Sequence, residues 1–175
     1  MKNKIDLWPI INLDTSGETP LKILLEQAEV LSQKTKGLVI GNVLTNPKGN
    51  LIFHTFYLVA PMLNNYRYSL MDVVHSAMPY PTFIYNNNIE TDDFVKVKRV
   101  RKQSAAHKLI EILEASRSQF ELAPESVPEP DVEVHSAEDF IKEIAKIFQS
   151  KNTSAVLNSL ISQSIQNEQA NKLRK

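Results

Sequence analysis

A chain of 175 residues with 42% hydrophobic and 23% charged residues has the composition of one ordinary globular domain, which excludes a fibrous repeat and a wholly disordered chain. Twenty basic and twenty acidic side chains give a net charge of zero, so no overall field attracts nucleic acid or an anionic membrane. The absence of cysteine excludes disulfides, thiolate metal sites and cysteine nucleophiles.

The first residues, MKNKIDLWPIINLD, are where a targeting signal would lie. Asp6 and Pro9 interrupt their apolar run and no small-residue cleavage site follows, so they lack the pattern of a signal peptide. The longest apolar run, residues 57–63, is far shorter than the roughly 20 residues of a membrane-spanning helix. We therefore expect a cytoplasmic protein with no membrane partner.

The sequence ETPLKILLEQAEVLSQKTKG, residues 18–37, predicts the first helix. Thr19 can cap its free amide groups, Pro20 suits the first helical position, and Gly37 can adopt the positive φ that ends a helix. Its apolar residues recur at helical spacing and form one stripe: Leu21, Leu24, Leu25, Ala28 and Leu31. The stripe indicates that this helix packs on a sheet.

Strand-like runs follow at residues 38–45, 51–60, 67–76 and 81–85, and an alternation of valine with lysine indicates a further strand at 94–100. The separators NPKGN, PMLNN and MPYP contain Pro, Gly and Asn, which favour turns. Consecutive strands with such short connections can only pair as hairpins. The pattern predicts an antiparallel meander of four to five strands.

Helical periodicity returns at residues 104–120, which predicts a second helix across the sheet. Residues 122–134 are rich in proline and acidic residues and lack apolar periodicity, which is typical of an extended, solvated linker. Beyond them, Ser136 is placed to cap a helix rich in large apolar residues, and a last helix is predicted at 153–167.

Together these elements predict an α+β fold, with an N-terminal helix and a second helix packed on the antiparallel meander, and a C-terminal helical pair. The predicted organisation is a core domain at residues 1–121, a linker at 122–134, and a helical hairpin with a polar tail at 135–175. The large apolar residues of the hairpin need either the main core or another chain, so a homo-oligomer formed through these helices is one expectation.

No cofactor or metal motif occurs in the sequence. The four glycines are too scattered for a phosphate-binding loop or a dinucleotide-binding turn, and the four histidines lack metal-ligand spacing. If Ala60 pairs with Arg67 in the second hairpin, His54 lies opposite Val73, and His54 and His75 become diagonal neighbours on one face. Such a pair is more often two partly buried histidines bonded to polar neighbours than a metal or catalytic site.

A basic segment at residues 96–108 leads into the second predicted helix. Its cationic side chains could neutralise phosphates: Lys96, Lys98, Arg99, Arg101 and Lys102. Aromatic residues are not interleaved with them and no recognition-helix pattern is present, so weak nucleic-acid binding is the most that this segment predicts. A solvated edge strand protected by lysines is the alternative interpretation.

The connection between the second and third strands combines tyrosine and arginine, which are enriched at the centres of protein interfaces. The predicted contact surface comprises Asn64, Asn65, Tyr66, Arg67 and Tyr68. Tyrosine is also an ordinary strand residue, and Arg67 at a sheet edge can extend its charge into water.

The sequence therefore favours a non-enzymatic interaction protein of the adaptor, immunity or regulatory kind, with a protein partner and no cofactor. A nucleic-acid-associated protein is the alternative. A hydrolase that uses His54, His75 and Asp72 ranks third.

Overall fold

A computed structural model describes residues 17–87 and 130–173 of the chain. In chain order these residues form α1 (Pro20–Lys34), β1 (Ile40–Lys48), β2 (Leu51–Ala60), a 3₁₀ turn (Pro61–Leu63), β3 (Tyr66–His75), β4 (Thr82–Asn86), β5 (Val132–Val134), α2 (Ala137–Phe148) and α3 (Lys151–Leu173). The strands form one sheet in the order β1-β2-β3-β4-β5, and each neighbouring pair is antiparallel. This is the α+β fold with an antiparallel meander that the sequence predicts.

The first helix begins and ends with the residues that its sequence indicates. The backbone N–H of Lys22 donates to the Thr19 hydroxyl at 3.3 Å, and Pro20 lies in the first turn. Beyond the last turn Gly37 has a φ of +78°, a conformation that glycine adopts without steric strain. Capping at both ends confirms the predicted helix.

A close approach of backbone to backbone holds α1 above β1. A Cβ atom added to Gly41 would lie 2.4 Å from the Cα of Ala28, which is shorter than any van der Waals contact. Only a residue without a side chain permits this spacing, so Gly41 determines how near α1 lies to the first strand.

The first hairpin is tighter than the sequence suggests. β1 continues through Pro47 to Lys48, and Gly49, with a φ of +58°, helps to form the short turn into β2. Proline lacks a backbone N–H and is tolerated only where a strand has a free edge. β1 is the first strand of the sheet and has such an edge, so the proline that predicts a turn lies inside a strand.

A β-bulge in the second hairpin changes its register. Phe56 pairs with Met71 but Tyr57 pairs with Ser69, so Leu70 is the extra residue on β3. The predicted pairing of His54 with Val73 is confirmed. The predicted pairing of Ala60 with Arg67 is wrong, because the bulge shifts the register by one and Ala60 faces Tyr66. The bulge also places both Leu70 and Met71 in the core, each without exposed surface.

The last residues of the predicted linker 122–134 belong to the sheet. Val132, Glu133 and Val134 form β5 against β4, and Val134 is buried. The backbone N–H of Asp131 donates to the Ile84 carbonyl, 3.0 Å away. Residues 130–134 are therefore held against the edge of the sheet, while residues 122–129 lie outside the described residues, as do the predicted strand 94–100 and helix 104–120.

The C-terminal helices pack on the same face of the sheet as α1. Phe140 and Ile144 of α2 and Leu160 of α3 join the hydrophobic core that includes Phe56 and Leu58 of β2. α2 starts next to β5, and its last residue, Phe148, reaches the ring of Phe56 at a centroid distance of 5.1 Å. α3 then crosses the end of the second hairpin, extending six residues beyond the predicted boundary at 167.

A second, smaller cluster lies on the opposite face. Phe53, Val74 and Tyr85 are buried there, with Leu51 and Phe83 partly buried beside them. Side chains alternate between the two faces along each strand. This cluster therefore lies on one face of the sheet, and His54 of β2 and His75 of β3 lie on the other.

Candidate functional site

His54 and His75 form a buried pair on the helix-covered face. Their Nε2 atoms are 2.9 Å apart, and the two side chains are 2% and 6% exposed. The Nδ1 atom of His54 lies 2.9 Å from the Thr45 hydroxyl, and that of His75 lies 2.6 Å from the Ser76 carbonyl oxygen. Each ring nitrogen therefore has a polar neighbour, which is the arrangement that the sequence favours for these residues.

The direction of each hydrogen bond follows from the Ser76 carbonyl, which can only accept. His75 must donate from Nδ1, so its Nε2 in the neutral ring is an acceptor. His54 then donates from Nε2 to His75, and its own Nδ1 accepts from the Thr45 hydroxyl. The four groups form one directed chain in which both imidazoles are neutral and fully bonded.

Burial and, to a smaller extent, the adjacent His75 together lower the pKa of His54 to about 4. Protonation of His54 would place a positive charge against His75, since the Nε2 atoms of the two rings are only 2.9 Å apart. At neutral pH His54 is therefore an uncharged structural partner of His75.

The pair is poorly suited to bind a metal or to act as a catalytic centre. Zinc sites use three or four protein ligands, and within residues 17–87 and 130–173 no group of three histidine or acidic side chains is placed to hold a metal ion. Asp72, which completes the hydrolase hypothesis, lies on the opposite face. Its carboxylate accepts from the Thr55 hydroxyl at 2.6 Å and from the Asn87 amide at 2.7 Å. The three residues do not form one site.

The predicted contact surface at the second hairpin is divided by strand alternation. Asn64 and Asn65 turn the chain with φ values of 55° and 56°. Tyr66 and Tyr68 then face the helix side, opposite core residues of β2, whereas Arg67 points to the other face. Tyr66 and Arg67 are both exposed and point to opposite faces of the strand, and the contact surface of these five residues stays a prediction.

The residues predicted to bind nucleic acid, Lys96 to Lys102, lie outside the described residues. Nucleic-acid binding therefore stays a prediction from sequence.

A groove that the sequence did not predict lies among the described elements. It has a volume of about 400 Å³ and runs between α1 and α2, with the start of α3 at one side. Its floor and walls are mainly apolar: Ile23, Leu31, Phe56, Leu58, Ile144, Phe148 and Leu157. This groove will be called the α1/α2 groove.

Two large apolar side chains remain partly in water at the mouth of the α1/α2 groove. Val30 of α1 is 38% exposed and Ile141 of α2 is 43% exposed. Each belongs to a helix that also contributes buried residues to the core, Ile23 and Leu24 from α1 and Phe140 and Ile144 from α2, so the apolar surface of both helices extends beyond what the sheet covers. The sequence indicates only that α2 has many large apolar residues that need to be covered. It does not indicate which of them stay exposed, and so it did not predict the groove.

Side chains at intervals of four residues border the groove. Glu18 lies just before α1, and the charged residues and the apolar contact residue that follow it lie on α1: Lys22, Glu26, Val30 and Lys34. In a helix, such residues follow one another at about 6 Å along one side. The groove thus has an apolar floor and a rim with a helical repeat of charge.

Searches against protein-family models, curated proteins and solved structures found no match to this chain. None of the helices within residues 17–87 and 130–173 combines the length and the apolar character that crossing a membrane requires.

Proposed function

We propose that this chain is a cytoplasmic, non-enzymatic interaction protein that binds an amphipathic helix of a protein partner in the α1/α2 groove. The observation that carries the proposal is the exposure of Val30 and Ile141 above an apolar floor made by Phe56 and Leu58. Burial of a large apolar side chain contributes about 1.5 to 3 kcal/mol, so a partner that covers both residues gains a favourable contact at the centre of the interface.

The shape of the groove favours a helix as the occupant. α1 has 15 residues and is therefore about 22 Å long, which corresponds to four turns of a partner helix. Helices pack at interaxial distances of about 8 to 10 Å, and an amphipathic helix can present apolar residues at positions i, i+3, i+4 and i+7 to such a groove.

The charge repeat on the rim supports the same conclusion. Lys22, Glu26 and Lys34 lie on the groove side of α1 at multiples of four residues. On a partner helix, residues four positions apart are also separated by about 6 Å along the axis. Acidic residues at this spacing can therefore face the two lysines while a basic residue faces Glu26. An extended strand rises about 3.3 Å per residue and does not share this helical repeat.

Site-specific photo-crosslinking in the native cell tests the proposal. A benzophenone side chain at position 141 should form an adduct, and the crosslinked segment of the partner should have amphipathic helical periodicity. Val30→Glu should abolish the adduct, because a carboxylate at the mouth would have to be desolvated. Position 25 provides the control, since Leu25 is 50% exposed on α1 but does not line the groove.

Equal adducts from positions 25 and 141 would overturn the proposal, because they would show contact without a preference for the groove. An adduct with a second copy of the chain would also overturn it, and would instead support the homo-oligomer that the C-terminal helices predict from sequence. Cell fractionation tests the proposed cytoplasmic location separately.

A further inference from the structure

The N-terminal segment joins the described chain at one end of the α1/α2 groove. Glu18 lines this end of the groove, and Gly17 is the first described residue. The Tyr80 hydroxyl donates to the Glu18 carbonyl at 3.1 Å, which fixes the chain where it enters α1. Residues 1–16 are therefore tethered directly at the groove.

Residues 1–16 contain many large apolar side chains interspersed with polar ones. Six large apolar residues occur between positions 5 and 13 of the sequence: Ile5, Leu7, Trp8, Ile10, Ile11 and Leu13. Sixteen residues can extend to about 50 Å, which exceeds the length of about 22 Å that the groove runs along α1. The segment is thus long enough, and apolar enough, to cover Val30 and Ile141.

We propose that residues 1–16 bind in the α1/α2 groove of their own chain and compete there with the partner helix. The competition rests on the proposed function, whereas the intramolecular contact does not. A short tether gives the segment an effective concentration of the order of millimolar, so modest affinity is sufficient for occupancy. Pro9 prevents the segment from forming one uninterrupted helical stripe. A continuous partner helix therefore makes more apolar contact with the groove than the segment does, and it can displace the segment.

The single tryptophan of the chain, Trp8, lies in this segment and reports its environment directly. In the full chain we expect blue-shifted emission and weak quenching by acrylamide. The double variant Val30→Glu and Ile141→Glu should shift the emission to the red and raise the quenching constant about threefold, because charged groups replace the apolar contact at the mouth of the groove. Leu25→Glu is the matched control and should leave Trp8 unchanged.

A second variant avoids any change in the folded core. Ile10→Glu with Ile11→Glu alters only the segment, and it should release Trp8 as the groove variant does. A benzophenone at position 141 in the otherwise unchanged chain should also crosslink within the chain to residues 1–16. Freely quenched Trp8 in the unchanged chain, or protection that survives both double variants, would overturn the proposal.

The competition is tested by the partner adduct at position 141. Its yield should rise at least twofold when Ile10 and Ile11 are replaced by Glu, and an unchanged yield would overturn the competition. If no partner adduct forms in either chain, the proposed function fails while the Trp8 measurements still decide the intramolecular contact. If Trp8 is freely quenched while the adduct forms, the proposed function stands and this inference fails.

Discussion

Lowering the pH from 7.5 to 4 should destabilise the folded chain through His54. The pKa of His54 in the folded chain is about 4 because the imidazole is buried and lies against His75, whereas an unfolded chain has an ordinary histidine pKa of about 6.5. Between these two values the unfolded state binds a proton that the folded state does not. The stabilisation is therefore complete above pH 6.5 and is lost as the pH falls towards 4.

The size of the effect follows from the difference of about 2.5 between the two pKa values. Each pKa unit corresponds to about 1.4 kcal/mol, so His54 accounts for a loss of about 3 kcal/mol in the free energy of unfolding. A typical domain has only about 5 to 15 kcal/mol in total, so this loss should be visible in urea titrations at a series of pH values.

Comparison with His54→Gln isolates this group from the carboxylates that also titrate in acid. Glutamine can still donate from its amide to the Nε2 of His75, but it does not titrate. The difference in unfolding free energy between the unchanged chain and the variant should fall by about 3 kcal/mol from pH 7.5 to 4. Exposed His135, replaced in the same way, is the control and should follow the unchanged chain. A difference that does not depend on pH, or an NMR titration of the His54 ring with a midpoint near 6.5, would refute the reasoning.

Three other perturbations test the packing, the second hairpin and the linker. Gly41→Ala should lower the free energy of unfolding by about 1 to 3 kcal/mol in urea titrations, because the added methyl group must displace Ala28; unchanged stability would contradict the close approach. Tyr66→Ala with Arg67→Ala should change stability by less than about 0.5 kcal/mol, since both side chains are exposed. If the partner binds the groove, this double variant should also leave the crosslink at position 141 intact, and its loss would place the contact at the second hairpin. Limited proteolysis should cut within residues 122–129 before it cuts β5, and resistance there would show that the acidic segment is packed.

Local chemistry accounts for the elements that the sequence predicts well. The ends of α1 depend on Thr19, Pro20 and Gly37, each of which acts on its own turn of backbone. The meander follows from short connections between strands, which leave hairpins as the only pairing. The histidine pair could be predicted for the same reason, because the spacing within one hairpin brings His54 and His75 to one face.

The elements that the sequence misses depend on distant parts of the chain. β5 has only three residues after a proline-rich acidic stretch, and it is a strand because the edge of β4 accepts it. The bulge at Leu70 has no glycine or turn residue to mark it; it allows both Leu70 and Met71 to reach the core. The α1/α2 groove involves helices about 100 residues apart in sequence, and no local pattern specifies the distance between them.

The position of each helix explains why neither can close the α1/α2 groove. α1 is held over β1 by its contact with Gly41, and a shift towards α2 would separate these closely packed backbones. α2 follows β5 after two residues, so its first turn stays near the far edge of the sheet, while Phe148 at its other end already contacts Phe56. Phe56 and Leu58 of β2 are already buried at the bottom of the groove, so the apolar surface that a further segment can cover is that of Val30 and Ile141 at its mouth. The two proposed occupants, residues 1–16 and a partner helix, would each complete the helical layer by covering these two side chains.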